Sequence, residues 1–103
     1  MNQKPINQPL TLRPGQQQLI LVVDDEVLIL EVAQLMLASH NYRVMTASSG
    51  QEAIALFTQH QDDIACVVMD MMIPEMDGPA ILKYMRAQRS DLPSIAMSGL
   101  HSK

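Results

Sequence analysis

Four polar side chains stand where short apolar runs stop. Asp24 and Asp25 follow Leu19-Ile20-Leu21-Val22-Val23, Asp70 follows the run from Ile64 to Met69, and Ser98 follows Ser94 to Met97. Carboxylates crowded together repel, so one of them stays protonated unless a cation joins them. Mg²⁺ suits such a set, because it takes oxygen ligands, commonly one or two carboxylates with waters and phosphate oxygens. Zinc suits it poorly, since Cys66 lies inside an apolar run and no pair among His40, His60 and His101 has ligand spacing. A carboxylate beside a bound cation can serve as nucleophile in phosphoryl transfer and form an acyl phosphate, and a hydroxyl such as that of Ser98 can hydrogen-bond a phosphoryl oxygen. Taken singly, each residue has a plainer reading. Asp caps helices and favours turns, so Asp24 or Asp25 reads equally as a cap and Ser98 as a turn residue. It is the joint placement that carries the chemistry.

That placement depends on the elements. Leu19–Val23 is too short and too continuously apolar for a helix, and suits a strand buried on both faces. A helix is expected over 26–39, with Glu26 in its first turn, then a strand over Arg43–Ala47. Ser48 or Ser49 can cap a second helix over 50–60, with Ala53, Ile54 and Phe57 on its core face. Ile64–Met69 is a third strand, 71–77 a loop, and Asp77-Gly78-Pro79 a helix start, with Asp as cap and Pro tolerated in the first turn. Ile81, Leu82 and Met85 give this third helix its apolar side, and Ser94–Met97 is a fourth strand. Strands alternating with helices imply right-handed crossovers and a parallel α/β sheet covered on both faces. Ligands bind such sheets at the carboxyl ends of the strands. If the first and third strands are neighbours, three carboxylates converge there.

Two stretches carry a family likeness. Leu21-Val22-Val23-Asp24-Asp25-Glu26 resembles the opening strand and acidic pair of two-component response-regulator receiver domains. Asp70-Met71-Met72-Ile73-Pro74-Glu75-Met76-Asp77-Gly78 resembles their phosphorylation-site strand end and the loop after it. The likeness runs from about Leu19 to Gly99. It implies a flavodoxin-like, doubly wound parallel sheet and a phosphorelay role. Asp70 would accept a phosphoryl group from a histidine kinase or phosphotransfer domain. Asp25 and Asp70 would ligate Mg²⁺ directly with the main-chain carbonyl of Met72, and Asp24 would act through a metal-bound water. Ser98 matches the switch hydroxyl, while Gly99 departs from the commoner alanine. The Pro14-Gly15 and Gln-rich approach also resembles linkers that precede receivers in hybrid sensor kinases.

The family has a fifth strand bearing a lysine, but five residues follow Ser98 and a parallel crossover needs about a dozen. The expectation is a truncated receiver over 19–103, with four strands and three helices. The fifth strand, the last two helices and the family lysine would be missing, and Lys103 would not be that lysine. Residues 1–18, with Pro5, Pro9, Pro14 and Gly15, read as a flexible arm or linker. The first helix is apolar nearly all round, from Val27 through Leu37, and should need cover on several sides. Self-association through its exposed surface is expected, with marginal stability.

Bulk properties narrow the rest. The chain has 103 residues, one cysteine and a formal charge of −4, with its seven Lys and Arg scattered, so neither a nucleic-acid face nor an internal disulfide is expected. No apolar run reaches the length of a membrane span and no signal-peptide pattern opens the chain, so a soluble, cytoplasmic protein is expected. The nine methionines and Cys66 read as core packing, the three histidines as surface residues, and Arg86 and Arg89 as a solvated helix face. Two other functions compete with a phosphoacceptor module. A non-signalling remnant would keep the acidic pocket but be poorly phosphorylated. An aspartate-nucleophile phosphatase would want a second acid two residues past Asp70, where Met72 stands, so the chain is not expected to be an enzyme.

Overall fold

The computed structural model of the chain describes residues 15–72 and 77–97. Strands β1 (Leu19–Val23), β2 (Arg43–Ala47), β3 (Ile64–Asp70) and β4 (Ser94–Met97) alternate with helices α1 (Val27–Ser39), α2 (Gly50–Gln59) and α3 (Gly78–Gln88). All pairings are parallel and the spatial order is β2-β1-β3-β4, so β1 and β3 are neighbours at the sheet's centre. The order of elements along the chain agrees with the sequence expectation, and the condition it set for the carboxylates to converge, β1 beside β3, is met. Helix α1 begins one residue later than expected, with Glu26 as its N-cap, and α2 ends one residue earlier, with His60 as its C-cap.

Strand β1 shows why a run of five apolar residues was needed. Leu19, Leu21 and Val23 face the α2/α3 side, while Ile20 and Val22 face α1. Alternate side chains on a strand point to opposite faces, and here both faces are covered. On the α2/α3 side, Phe57, Val67, Met69 and Met85 are fully buried together. A bulge between Leu19 and Ile20 sets the phase of β3, because Leu19 pairs with Ile64 and Ile20 with Cys66, leaving Ala65 extra. Cys66 and Val68 lie on the α1 side. Regular alternation would send Ile64 there too, but the bulge turns it into the larger core with Val67.

The helices end in different ways. Ser49 accepts from the Glu52 amide at 3.1 Å while Glu52 reaches back to the Ser48 amide at 2.9 Å, a reciprocal cap on α2. Asp77 caps α3 by accepting from the Ala80 amide at 3.2 Å. Helix α1 closes at its C-terminus. Asn41 has φ 70°, its amide donates to Ala38 O at 3.0 Å, and the Tyr42 amide donates to Leu37 O at 3.1 Å.

Several side chains are placed differently from the sequence expectation. Of the expected arm over 1–18, residues 15–18 lie against this helix end: the Gln17 amide donates to Asn41 O at 2.9 Å and the Asn41 side chain to Gly15 O at 2.9 Å. The other arm residues lie outside the described set. Arg86 and Arg89 are not a purely solvated face. Arg86 donates to Leu92 O at 3.4 Å and to Ser94, and Arg89 donates to Gln61 O at 3.0 Å and to Ile64 O, tying the end of α3 to the starts of β3 and β4. Cys66 is half-buried at the margin of the α1 side rather than in the core, and burial raises its thiol pKa.

Phe57 is completely buried, so Phe57→Ala is expected to destabilise the chain by about 3 kcal/mol or more, read from urea unfolding by circular dichroism. Asp63 offers the contrast. The hydrogen bond from Arg43 Nη2, 3.1 Å away, holds its carboxyl below its ordinary pKa, yet the two side chains are 47% and 53% exposed. A folded-state value below the unfolded one gives stability present above the unfolded value and lost as pH falls through the folded one. Solvent screens this pair, so Asp63→Asn should scarcely move the neutral-pH midpoint and should remove only a small part of the loss in acid, measured by thermal melts across pH.

Candidate functional site

The central pairing builds the site. Val23 pairs with Met69 in register, so the next residues along each strand, Asp24 and Asp70, emerge side by side at the carboxyl edge. Both are fully buried, whereas Asp25 is exposed at the mouth. One oxygen from each of the three carboxylates lies within 4.8 Å of the others.

Each buried acid is aimed by its own backbone. Asp24 Oδ1 accepts from the Glu26 amide at 2.8 Å, and Asp70 Oδ1 accepts from the Met72 amide at 2.9 Å. Both are aspartate turns, in which a carboxylate bonds the main chain two residues on. Asp24 is thus a turn residue ahead of α1 as well as a member of the cluster. On the β4 side, Asp70 pairs with Met97 and the Met71 amide donates to Met97 O at 3.1 Å. Ser98, the expected switch hydroxyl, lies outside the described residues. Met72 is exposed beside Asp70, with its amide on the aspartate.

Gly78, read in the sequence as part of a helix start and as the end of the family-like loop motif, has a packing role that neither reading gave. A Cβ there would come 3.2 Å from the Asp70 carbonyl oxygen and 2.9 Å from Met71 Sδ. The absent side chain lets the start of α3 close against the strand end that carries Asp70. An Asp-Gly-Pro start signals a helix boundary, but only the fold shows what that boundary must approach. A groove of about 630 Å³ runs between the starts of α2 and α3, lined by Ser49, Asp77 and Tyr84 among others; none of Asp24, Asp25 and Asp70 lines it.

The donor set fits a hard divalent cation. It is all oxygen, formally trinegative, and half enclosed with one exposed member, which suits a small ion that keeps some of its water. Asp24, Asp25 and Asp70 are the residues that would hold Mg²⁺.

Comparison with known proteins agrees with the geometry. The family model for the response regulator receiver domain matches residues 20–103. The chain belongs to the response-regulator receiver family. The response regulator SaeR of Staphylococcus aureus is 39% identical over 79 residues, which is 77% of this chain and 33% of SaeR. A receiver domain protein from Clostridium thermocellum superposes with TM-score 0.76 at 33% identity, covering 80% of this chain and 65% of that one. TrrA from Thermotoga maritima, solved in complex with Mg²⁺-BeF, gives TM-score 0.71 at 30% identity, covering 79% and 69%. A structure of histidine kinase ThkA in complex with TrrA gives 0.71 at 28% identity, covering 82% and 72%. The chain therefore spans about a third of the length of the curated relatives it matches and about two thirds of these solved receiver chains. The receiver fold is the flavodoxin-like one expected from the motifs, here seen in four strands and three helices among the described residues. No described helix is long and apolar enough to cross a membrane.

Two buried carboxylates this close oppose each other when no cation is bound. In EDTA, Asp70→Asn is expected to melt at a higher temperature than the unaltered chain, because it removes one of the two buried charges. Millimolar Mg²⁺ should raise the midpoint of the unaltered chain and leave Asp70→Asn nearly unmoved, as differential scanning calorimetry with and without EDTA would show.

Proposed function

We propose that this receiver is a phosphoacceptor module that takes a phosphoryl group onto Asp70 from a histidine kinase or a phosphotransfer domain. The observation that carries this reading is the burial of Asp70 at the end of the central strand, with Asp24 and Asp25 contributing oxygens within 4.8 Å of its carboxylate. The chain acts as substrate and switch rather than as an enzyme that turns over a separate molecule, and it works in the cytoplasm. The family supports the partner, since TrrA is seen with its kinase ThkA.

The chemistry follows from the placement. The Asp70 carboxylate attacks phosphorus, the bond from phosphorus to the donor atom breaks, and the electron pair leaves with the donor. The product is an acyl phosphate on the aspartate. Bound Mg²⁺ would neutralise charge on the transferring phosphoryl oxygens. The Met72 amide holds Asp70 Oδ1 and fixes the carboxylate plane. Asp24 and Asp25 supply the negative charge that makes a cation favourable beside a nucleophile that must itself stay ionised. By family likeness the Met72 carbonyl would complete the metal site and the Ser98 hydroxyl would hold a phosphoryl oxygen.

Incubation with Mg²⁺ and acetyl phosphate should add one phosphoryl group, detected by mass spectrometry and removed by hydroxylamine. Asp70→Asn should abolish uptake, and Asp25→Asn should reduce it at least about tenfold, since even groups that only support metal ligands cost about 10- to 100-fold when replaced. A folded, Mg²⁺-binding chain that takes up no phosphoryl group would overturn the proposal, leaving a pocket that holds the cation without transfer.

A further inference from the structure

Gly15 to Gln18 cross the C-terminal end of α1 before the chain enters β1. Gly15 is buried, and the three glutamines after it are exposed. The Gly15 amide donates to His40 O at 2.6 Å, and the Asn41 side chain donates to Gly15 O at 2.9 Å. The Gln17 amide donates to Asn41 O at 2.9 Å, and the Gln17 side chain donates to Asn41 Oδ1. Arg43 adds two bonds, from Nε to Gln17 O at 2.7 Å and from its amide to Gln18 O at 2.9 Å. A Cβ on Gly15 would come 2.7 Å from the Tyr42 ring, so only a bare backbone fits against that ring.

Two features mark this segment as separable from the sheet. Gln17 and Asn41 both hold a positive φ, 68° and 70°, which residues other than glycine keep only where surrounding contacts impose it. Here the two bond each other through backbone and side chain. The segment also buries almost no apolar surface, and a segment held by exposed hydrogen bonds opens locally more readily than a core element does. Asn41 belongs to the helix end as well. Its amide donates to Ala38 O at 3.0 Å and the Tyr42 amide to Leu37 O at 3.1 Å, closing the last turn of α1. The Ser39 and His40 side chains reach Met36 O, one turn further in.

We propose that residues 15–18 are a latch on α1 whose closure favours the ordered acidic pair at the helix's other end. Closed, as here, the latch fixes the last turn of α1. Open, it frees residues 38–42 while the sheet keeps its order. Helix α1 is about 20 Å long, and at its start stands Glu26, whose amide Asp24 holds, with Asp25 between them. No side chain caps that start, so the helix transmits a hold applied at its far end to a start that has little of its own. The link to the acids rests on reading Asp24, Asp25 and Asp70 as a cation site. Coupling between sites is reciprocal, so Mg²⁺ on the acids favours the closed latch.

Amide hydrogen exchange on the full chain in EDTA, read by NMR, tests the latch without the ion. Gly15→Ala drives a methyl into the Tyr42 ring, and Asn41→Gly removes both side-chain bonds while keeping a residue at ease with positive φ. In each variant, exchange at Gln17 and Tyr42 should quicken at least about tenfold, with Leu21 and Val22 in β1 unchanged. Calorimetric titration of both variants should show the Mg²⁺ dissociation constant raised roughly fivefold, the low end of ordinary coupling between sites. In the unaltered chain, saturating Mg²⁺ should slow exchange at Gln17 and Tyr42. Exchange at Tyr42 that stays slow while Gln17 opens, or that quickens equally in β1, would overturn the latch. A freed helix end with unchanged Mg²⁺ affinity would overturn its link to the acids. An unaltered chain that binds no Mg²⁺ would overturn the cation reading and that link with it, and exchange in EDTA would still decide the latch.

Discussion

Asp24 and Asp70 are both fully buried, and they meet because β1 and β3 are parallel neighbours in register. At roughly 5 Å, two unit charges repel by about 3 kcal/mol in an effective dielectric near 20, before any cost of desolvation is counted. The rest of the domain bears that load. The strands that carry the two acids occupy the centre of the sheet, where hydrogen bonds on both sides hold their register. The one irregularity between them, the bulge at Ala65, lies at the opposite end from the carboxylates. It re-phases Ile64 into the larger core without shifting the register of the four pairs that lead up to the acids.

The turn-forming and chemical roles of these aspartates coincide. At both strand ends, Oδ1 bonds the amide two residues on, at 2.8 Å for Asp24 and 2.9 Å for Asp70. The chain has to leave the sheet at both places, and the same bond that turns it also fixes the carboxylate. A cation cluster asks only one oxygen of each acid. Aspartate at a strand end is therefore weak evidence for function alone. It becomes strong when two such turns are adjacent in one sheet and a third acid, Asp25, follows one of them.

Much of this was legible in the sequence, for physical reasons. A five-residue apolar run ending in two acids can be little else than a doubly covered strand. Asp77-Gly78-Pro79 announces a helix start through capping and the fixed φ of proline. What was not legible depended on contacts between distant segments. The bulge at Ala65 is invisible because Ile64 is apolar whichever face it takes. Gly78 reads as part of a helix start and of the loop motif until the Asp70 carbonyl is found 3.2 Å from where its Cβ would stand. Arg86 and Arg89 have the helical spacing of a solvated face, and only the return of β4 beside β3 puts carbonyl oxygens within their reach. Residues 15–18 looked like more of a polar arm, but their bonds go to the turn after α1, more than twenty residues away. Ser98 was placed by motif alone and stays outside the described residues.

Helix α1 links the packing of the domain to the site. Helices α2 and α3 start with side-chain caps from Ser49 and Asp77. Helix α1 has no side-chain cap at its N-cap residue, no acid in its first turn and no base in its last. Its order comes from the closed C-terminal turn at Asn41 and from burial of Leu30 and its neighbours. Yet its N-cap, Glu26, is the residue whose amide Asp24 holds, and Asp25 lies between them. The least capped helix start thus borders the most charged point of the fold. A helix end fraying at Glu26 would loosen Asp24 and Asp25 together, while Asp70, anchored between β1 and β4, would stay in place. Contacts that stiffen α1 act on Asp24 and Asp25 before they act on Asp70.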